Sequence, residues 1–255
     1  MLLAIDIGNT NIVIGVFGDN GGGLKGHWRV STDAARTPDE YGLTLLGLFA
    51  AAGIDKTALH GAIIASVVPR LTGTITEAVF EYLGLTARMV THQNCLMPVL
   101  TDDPEEVGAD RLVNAVAAYS VHRRSLIVVD FGTAVTFDYI TEKGEYAGGI
   151  IAPGIGISSE ALFSRTAKLP MVEPARPGAL IGKNTIDSMR SGIFYGFLGL
   201  VDGIIERMIR ETGTSPVIVS TGGLAPLVIG ESKYITETDE SLTLRGLKII
   251  YEGKM

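Results

Sequence analysis

Two short stretches of this sequence carry the residue types needed to hold a phosphorylated ligand. Asp6-Ile7-Gly8-Asn9-Thr10 closes one apolar run, and Asp130-Phe131-Gly132-Thr133-Ala134 closes another. At a turn following a strand, a glycine lets backbone N–H groups come close to phosphate oxygens, Asn and Thr side chains add hydrogen bonds, and an Asp such as Asp6 can hold Mg²⁺ through water. One such turn by itself is equally an ordinary hairpin whose Asp bonds nearby backbone. Two of them, in the matching order Asp, apolar residue, Gly and at an offset of 124 residues, imply a clamp that grips a phosphate chain from both sides.

The elements that must position these turns can be read from local pattern. Residues 2–7 and 11–17 are short β-branched runs on either side of the first turn, and 24–31 follows a Gly-rich turn, which predicts a three-stranded meander. Thr37-Pro38-Asp39-Glu40 is a helix start with a capping box, so a helix to about residue 52 follows. Residues 61–68 read as a buried strand, Pro69 opens a helix over 70–83, and another strand falls near 86–91. Leu112, Val113, Val116 and Ala117 make 109–122 an amphipathic helix joining the halves.

The grammar then starts again. Strands are expected at 125–131, 135–140 and 145–151, and a long helix over 186–211 with Ile186, Met189, Ile193, Phe197, Leu200, Ile204 and Met208 at helical spacing. Its glycines, Gly192, Gly196 and Gly199, weaken helix propensity and imply close packing against another element or a partner subunit. A strand over 216–220 ends at Thr221-Gly222-Gly223. A chain of 255 residues divides naturally into two lobes, here 1–118 and 119–255. The fold class expected is α/β: a duplicated actin-like ATPase (ribonuclease H-like) fold with mixed sheets flanked by helices. In such proteins an Asp-Gly-Thr-type hairpin from each lobe holds the phosphates of ATP, and a third glycine turn, here Gly222-Gly223, leaves room for the adenosine.

Composition narrows the function classes. A net charge of −7 with no long basic run argues against nucleic acid, and no apolar stretch is long enough for a membrane span. One cysteine, Cys95, forms no intramolecular disulfide, and Asp6 interrupts the apolar N-terminal run, so a cytoplasmic location without a signal peptide is expected. The four histidines fall in no metal-ligand spacing.

Taken together, D-x-G-N-T-x-x-x-x-G at Asp6–Gly15, G-A-D-R at Gly108–Arg111, D-x-G-T-A-x-T-x-D at Asp130–Asp138 and T-G-G at Thr221–Gly223 resemble the type III pantothenate kinases. The likeness runs along essentially the whole chain, including Gly148–Gly154. It implies ATP-dependent phosphorylation of the primary hydroxyl of pantothenate, the first step of coenzyme A synthesis, by a homodimer using Mg²⁺ and a monovalent cation, K⁺ or NH₄⁺. By the same resemblance Asp110 is the general base, and Gly108, Ala109, Asp110, Arg111 and Thr185 contact pantothenate. Arg111 meets its carboxylate or orients Asp110. Asp6, Ile7, Gly8, Asn9, Thr10, Asn11, Ile12 and Val13 line the ATP phosphates, Thr133 contacts ATP, and Asp130 holds the monovalent cation. Many members carry a tyrosine where this chain has Thr101. The alternatives are an actin-like kinase for another small hydroxy acid or sugar, and an ATP-binding regulator without turnover.

Overall fold

A computed structural model describes residues 1–19 and 21–255, which form two compact units. The first comprises Met1–Val121 together with Ser241–Met255, and the second His122–Glu240.

The first unit is built on a five-stranded sheet of order β3-β2-β1-β4-β5, with β1 (Leu2–Ile7), β2 (Asn11–Phe17), β3 (Leu24–Ser31), β4 (Gly61–Ser66) and β5 (Ala87–Met89). The first three strands form the antiparallel meander, while β1, β4 and β5 run parallel. Strand β1 is apolar almost throughout because both faces of the sheet are covered, as parallel strands require. Leu3, Ile5 and Ile7 share a core with Tyr41, Leu45 and Phe49 of α1 (Pro38–Ala51) and Leu71, Ile75 and Val79 of α2 (Pro69–Leu83). On the opposite face Gly15, the register partner of Ala4, lies against Leu244 of a C-terminal helix, Leu242–Glu252. That helix in turn packs Gly246 against Val113 of α3 (Ala109–His122).

The second unit repeats the plan. Its four-stranded sheet has the order β8-β7-β6-β9, from β6 (Leu126–Phe131), β7 (Ala134–Ile140), β8 (Tyr146–Pro153) and β9 (Val217–Thr221), with β6 and β9 parallel. The order of the first four strands of each unit is therefore the same, with β6 in the place of β1. Ile127, Val129, Phe131, Val135 and Phe137 face one core with Met189, Ile193, Phe197, Val201, Ile205 and Met208 of α5 (Thr185–Thr212). A short helix, α4 (Ile155–Ser164), contributes Ile155 to the same core.

Most elements fall within a residue or two of the sequence expectation, with three corrections. The second lobe does not run to residue 255, because the terminal helix α6, the Leu242–Glu252 segment above, belongs to the first unit. Its apolar residues Leu244, Leu247 and Ile250 are fully buried, and burial of that stripe rather than chain order decides where it sits. Second, α4 follows the Gly-rich segment 148–154 in a stretch for which the local pattern predicts no element. Third, the most deeply buried stripe of α5 passes through Val201 and Ile205, with Leu200 and Ile204 partly buried against the same core, and Ile186 is exposed.

Candidate active site

In the first unit the Asp6–Thr10 turn sits where β1 ends, at the carboxyl edge of the parallel pair β1 and β4. Open α/β sheets bind ligands at that edge. Asp6 is half-buried, Asn9 and Thr10 are exposed, and Gly8 donates its N–H to the carbonyl of Asn11 at 3.0 Å. The expected lining 6–13 divides by strand alternation. Ile7 and Ile12 point into the core, so only their backbone can reach a ligand.

A residue outside every motif completes this turn. Thr32, just past β3, donates its hydroxyl to the carbonyl of Gly8 at 2.6 Å and its N–H to the carbonyl of Thr10 at 3.0 Å. Asp33, next in the chain, is gripped through its own peptide groups by the hydroxyl of Tyr41, which accepts from Asp33 N–H at 3.1 Å and donates to Asp33 carbonyl at 2.9 Å. The only local sequence signal for either residue is a Ser-Thr-Asp cluster after a strand, which reads as an ordinary turn.

The G-A-D-R segment reaches the same edge of the sheet. Val67 follows β4 and donates its N–H to the carbonyl of Ile7 at 3.1 Å, and Gly108 lies against the Val67 side chain. Gly108 then starts α3, its carbonyl accepting from Arg111 at 3.1 Å and Leu112 at 3.3 Å. Asp110, half-buried in the first turn of α3, accepts the N–H of Arg111 through Oδ1 at 2.7 Å. A Cβ at position 108 would stand 2.6 Å from that Oδ1, so only glycine lets the carboxylate fold back over the helix start. Asp110 and the Asp6–Thr10 turn are thus fixed to one frame through Val67. The hydroxyl oxygen of Thr101, where many members of the resembled family carry a tyrosine, is buried without a hydrogen-bond partner among the described residues.

In the second unit Asp130 occupies the place on β6 that Asp6 has on β1. Its register partners are Thr136 on β7 and Thr221 on β9, so all three side chains stand on one face of the sheet. Both threonines spend their protons elsewhere: Thr136 donates to Asp138 Oδ2 at 3.2 Å, and Thr221 to the carbonyl of Asp239 at 2.7 Å. Each therefore presents oxygen lone pairs beside a carboxylate, a donor set suited to a hard cation. Asp138 is itself buried and receives the hydroxyl of buried Tyr146 at 2.5 Å, which compensates a carboxylate taken out of water.

The glycine turn after β9 closes onto this group. Gly222 adopts φ +97°, and a Cβ there would lie 2.6 Å from Asp130 Oδ1 and from Phe131 N. Thr133 is exposed at the tip of the β6–β7 turn, and its carbonyl accepts the N–H of Gly154 at 3.2 Å. Thr185 lies apart from these turns in the chain, as the first residue of α5. The N-cap Asn184 accepts the Asp187 N–H there, and a cavity of ≈ 540 Å³ is lined by Lys183, Asn184, Thr185 and Ser188. Among the described residues no three His, Cys, Asp or Glu side chains come together as a metal cluster.

Duplicated sheets of one strand order, each ending its first strand in an Asp-apolar-Gly turn, mark the actin-like ATPase fold. A solved structure described as a putative 2-dehydro-3-deoxygalactonokinase from Sinorhizobium meliloti shares the fold over 99% of both chains at a TM-score of 0.64, with 14% identity. The family model of the type III pantothenate kinases matches residues 2–207. Type III pantothenate kinases of Pelobacter propionicus and Geobacter sulfurreducens are each 53% identical over 99% of this chain and cover 99% and 98% of their own length. The chain belongs to the type III pantothenate kinase family.

Proposed function

We propose that this protein transfers the γ-phosphoryl group of ATP to the primary hydroxyl of pantothenate, giving 4′-phosphopantothenate at the entry to coenzyme A synthesis. The observation that carries this reading is the end-to-end match to pantothenate kinases in a chain whose G-A-D-R segment is tied to its first phosphate turn. Phosphoryl transfer asks mainly for positioning and charge neutralisation, with little covalent work for the protein. The backbone of residues 6–13 and Thr133 bind the phosphates, and Gly222-Gly223 leave space beside the nucleotide. Asp110 accepts the hydroxyl proton as the pantothenate oxygen attacks phosphorus, while Arg111 holds the pantothenate carboxylate by a charge-assisted contact.

Asp130, with the hydroxyl oxygens of Thr136 and Thr221 beside it, is the place for the monovalent cation, K⁺ or NH₄⁺. Asp6 is the carboxylate for Mg²⁺, held through water, since that ion commonly takes few protein ligands and the rest from phosphates and water. These ions neutralise the charge that spreads over the phosphoryl oxygens.

The working form is a cytoplasmic homodimer, with Thr185 offered to pantothenate across the interface. The exposed apolar side chains of the second unit support it: Ile151, Met171, Leu180 and Ile181 are all exposed, and a Cβ added at Gly192, Gly196 or Gly199 of α5 would meet nothing within 4 Å among the described residues. No helix among the described residues is long and apolar enough to cross a membrane.

The deciding experiment is mass-spectrometric detection of 4′-phosphopantothenate from pantothenate, MgATP and K⁺. Product formation that requires all three components is the expected result. A wild-type protein that binds ATP and leaves pantothenate unchanged would defeat the assignment and point to another hydroxyl acceptor or to an ATP-binding regulator.

A further inference from the structure

We propose that Thr32, held by Tyr41, is a positioning residue for nucleotide binding that keeps the first phosphate turn facing the ligand with its N–H groups. The inference rests on the reading of Gly8–Asn11 as a phosphate turn. In a planar trans peptide the C=O of one residue and the N–H of the next point in opposite directions. Thr32 takes the carbonyls of Gly8 and Thr10 on one side, through its hydroxyl at 2.6 Å and its N–H at 3.0 Å. The N–H groups of Asn9 and Asn11 are thereby turned to the other side.

The hydroxyl bond matters more than the backbone one. The Thr32 N–H bond continues the β2–β3 ladder by one step past Asn11 and Ser31 and is supported by it. The Gly8–Asn9 peptide has no such support, and glycine resists rotation less than any other residue. Were that peptide to flip, a carbonyl oxygen would face the phosphates where an N–H had been, exchanging attraction for repulsion. The group that opposes the flip from the carbonyl side is the Thr32 hydroxyl.

Thr32 is in turn held from the core. Tyr41 is 3% exposed, and its hydroxyl clasps both the N–H and the C=O of Asp33. Tyr41 lies in the first turn of α1, which is fixed by the Thr37–Glu40 capping box. The order of support is therefore α1, Tyr41, Asp33, Thr32 and the phosphate turn, all within the first unit.

The test is calorimetric titration of the full chain with the magnesium complex of a non-hydrolysable ATP analogue, beside steady-state kinetics for ATP and pantothenate. Thr32→Val keeps the shape of the side chain and removes the donor. It is expected to weaken analogue binding by about tenfold and to raise KM for ATP in proportion, leaving KM for pantothenate nearly unmoved. Thr32→Ser restores the hydroxyl and should recover most of the loss. Tyr41→Phe should weaken the analogue by a smaller factor, and adding it to Thr32→Val should cost little more, because the two act through one contact.

Analogue affinity of Thr32→Val equal to wild type would overturn the proposal. So would equal losses for both substrates, or failure of Ser to rescue. If Thr32→Val does not fold, Tyr41→Phe, which keeps its ring packing, decides the question by the same KM split. A wild type that binds the analogue without making phosphopantothenate defeats only the acceptor assignment, and the Thr32 comparison still decides this proposal. A wild type that binds no nucleotide overturns both.

Discussion

Gly222 lies so close to Asp130 that a Cβ on it would stand 2.6 Å from the carboxylate Oδ1. The same Cβ would stand 2.6 Å from the backbone nitrogen of Phe131, which has no freedom to move aside. The glycine turn after β9 and the carboxylate at the end of β6 are thus a single packed unit.

Gly222→Ala should therefore do more than strain the backbone. Gly230 has a comparable φ of +80°, with nothing within 4 Å of its Cβ position. Gly230→Ala is expected to cost only the left-handed conformational term, about 1–2 kcal/mol. Gly222→Ala should lose clearly more in thermal unfolding and should also abolish any increase in melting temperature on adding K⁺ and nucleotide. Equal losses for the two variants would show that the contact with Asp130 is not decisive.

Asp110→Asn keeps the shape of the side chain and removes the carboxylate proposed as proton acceptor. A fall in kcat of about 10²–10⁴-fold is expected, the usual contribution of a general base. Affinity for a non-hydrolysable ATP analogue should persist. Loss of nucleotide binding along with turnover would reassign Asp110 to the phosphate site.

The capping box at the start of α1 can be tested by itself. Thr37 accepts the N–H of Glu40 at 3.3 Å, and Glu40 Oε2 accepts the N–H of Thr37 at 2.8 Å. Thr37→Ala should cost about 1 kcal/mol, a drop of about 2–4 °C in Tm for a chain of this size. Since Tyr41 lies one turn further on, amide exchange of Asp33 should quicken in the same variant. Unchanged Tm and unchanged exchange would remove α1 from the support of the phosphate turn.

Cys95 is buried, and desolvation pushes its thiol pKa up. The folded state therefore holds its proton to higher pH than the unfolded chain does. The stability this contributes is complete below the unfolded thiol pKa and is lost as pH rises through the raised folded value. Thiol labelling near neutral pH should accordingly reach one equivalent only after unfolding in urea. Fast labelling of the folded protein would contradict the burial.

Much of this arrangement is local and so is written in the sequence. Strand β1 needs an apolar run, its turn needs Gly8, and α1 needs Thr37, Pro38 and Glu40 at fixed spacing, each within a few residues. The repeat of Asp6-Ile7-Gly8 as Asp130-Phe131-Gly132 is a comparison of two local patterns, and it is enough to imply two similar sheets.

Tertiary structure alone decided what stands beside these turns. No local pattern pairs Thr32 with Gly8, or Tyr41 with Asp33, because those contacts exist only once β3 and α1 have packed around β1. Thr136 and Thr221 flank Asp130 through the register of two different strands, one antiparallel and one parallel. Helix α6 returns to the first unit because Leu244, Leu247 and Ile250 find cover there, across more than a hundred intervening residues. Sequence determined the turns and the strands that carry them, since those follow from backbone preference and side-chain alternation. Which residues hold the turns in place was decided by long-range burial and register, which no short window contains.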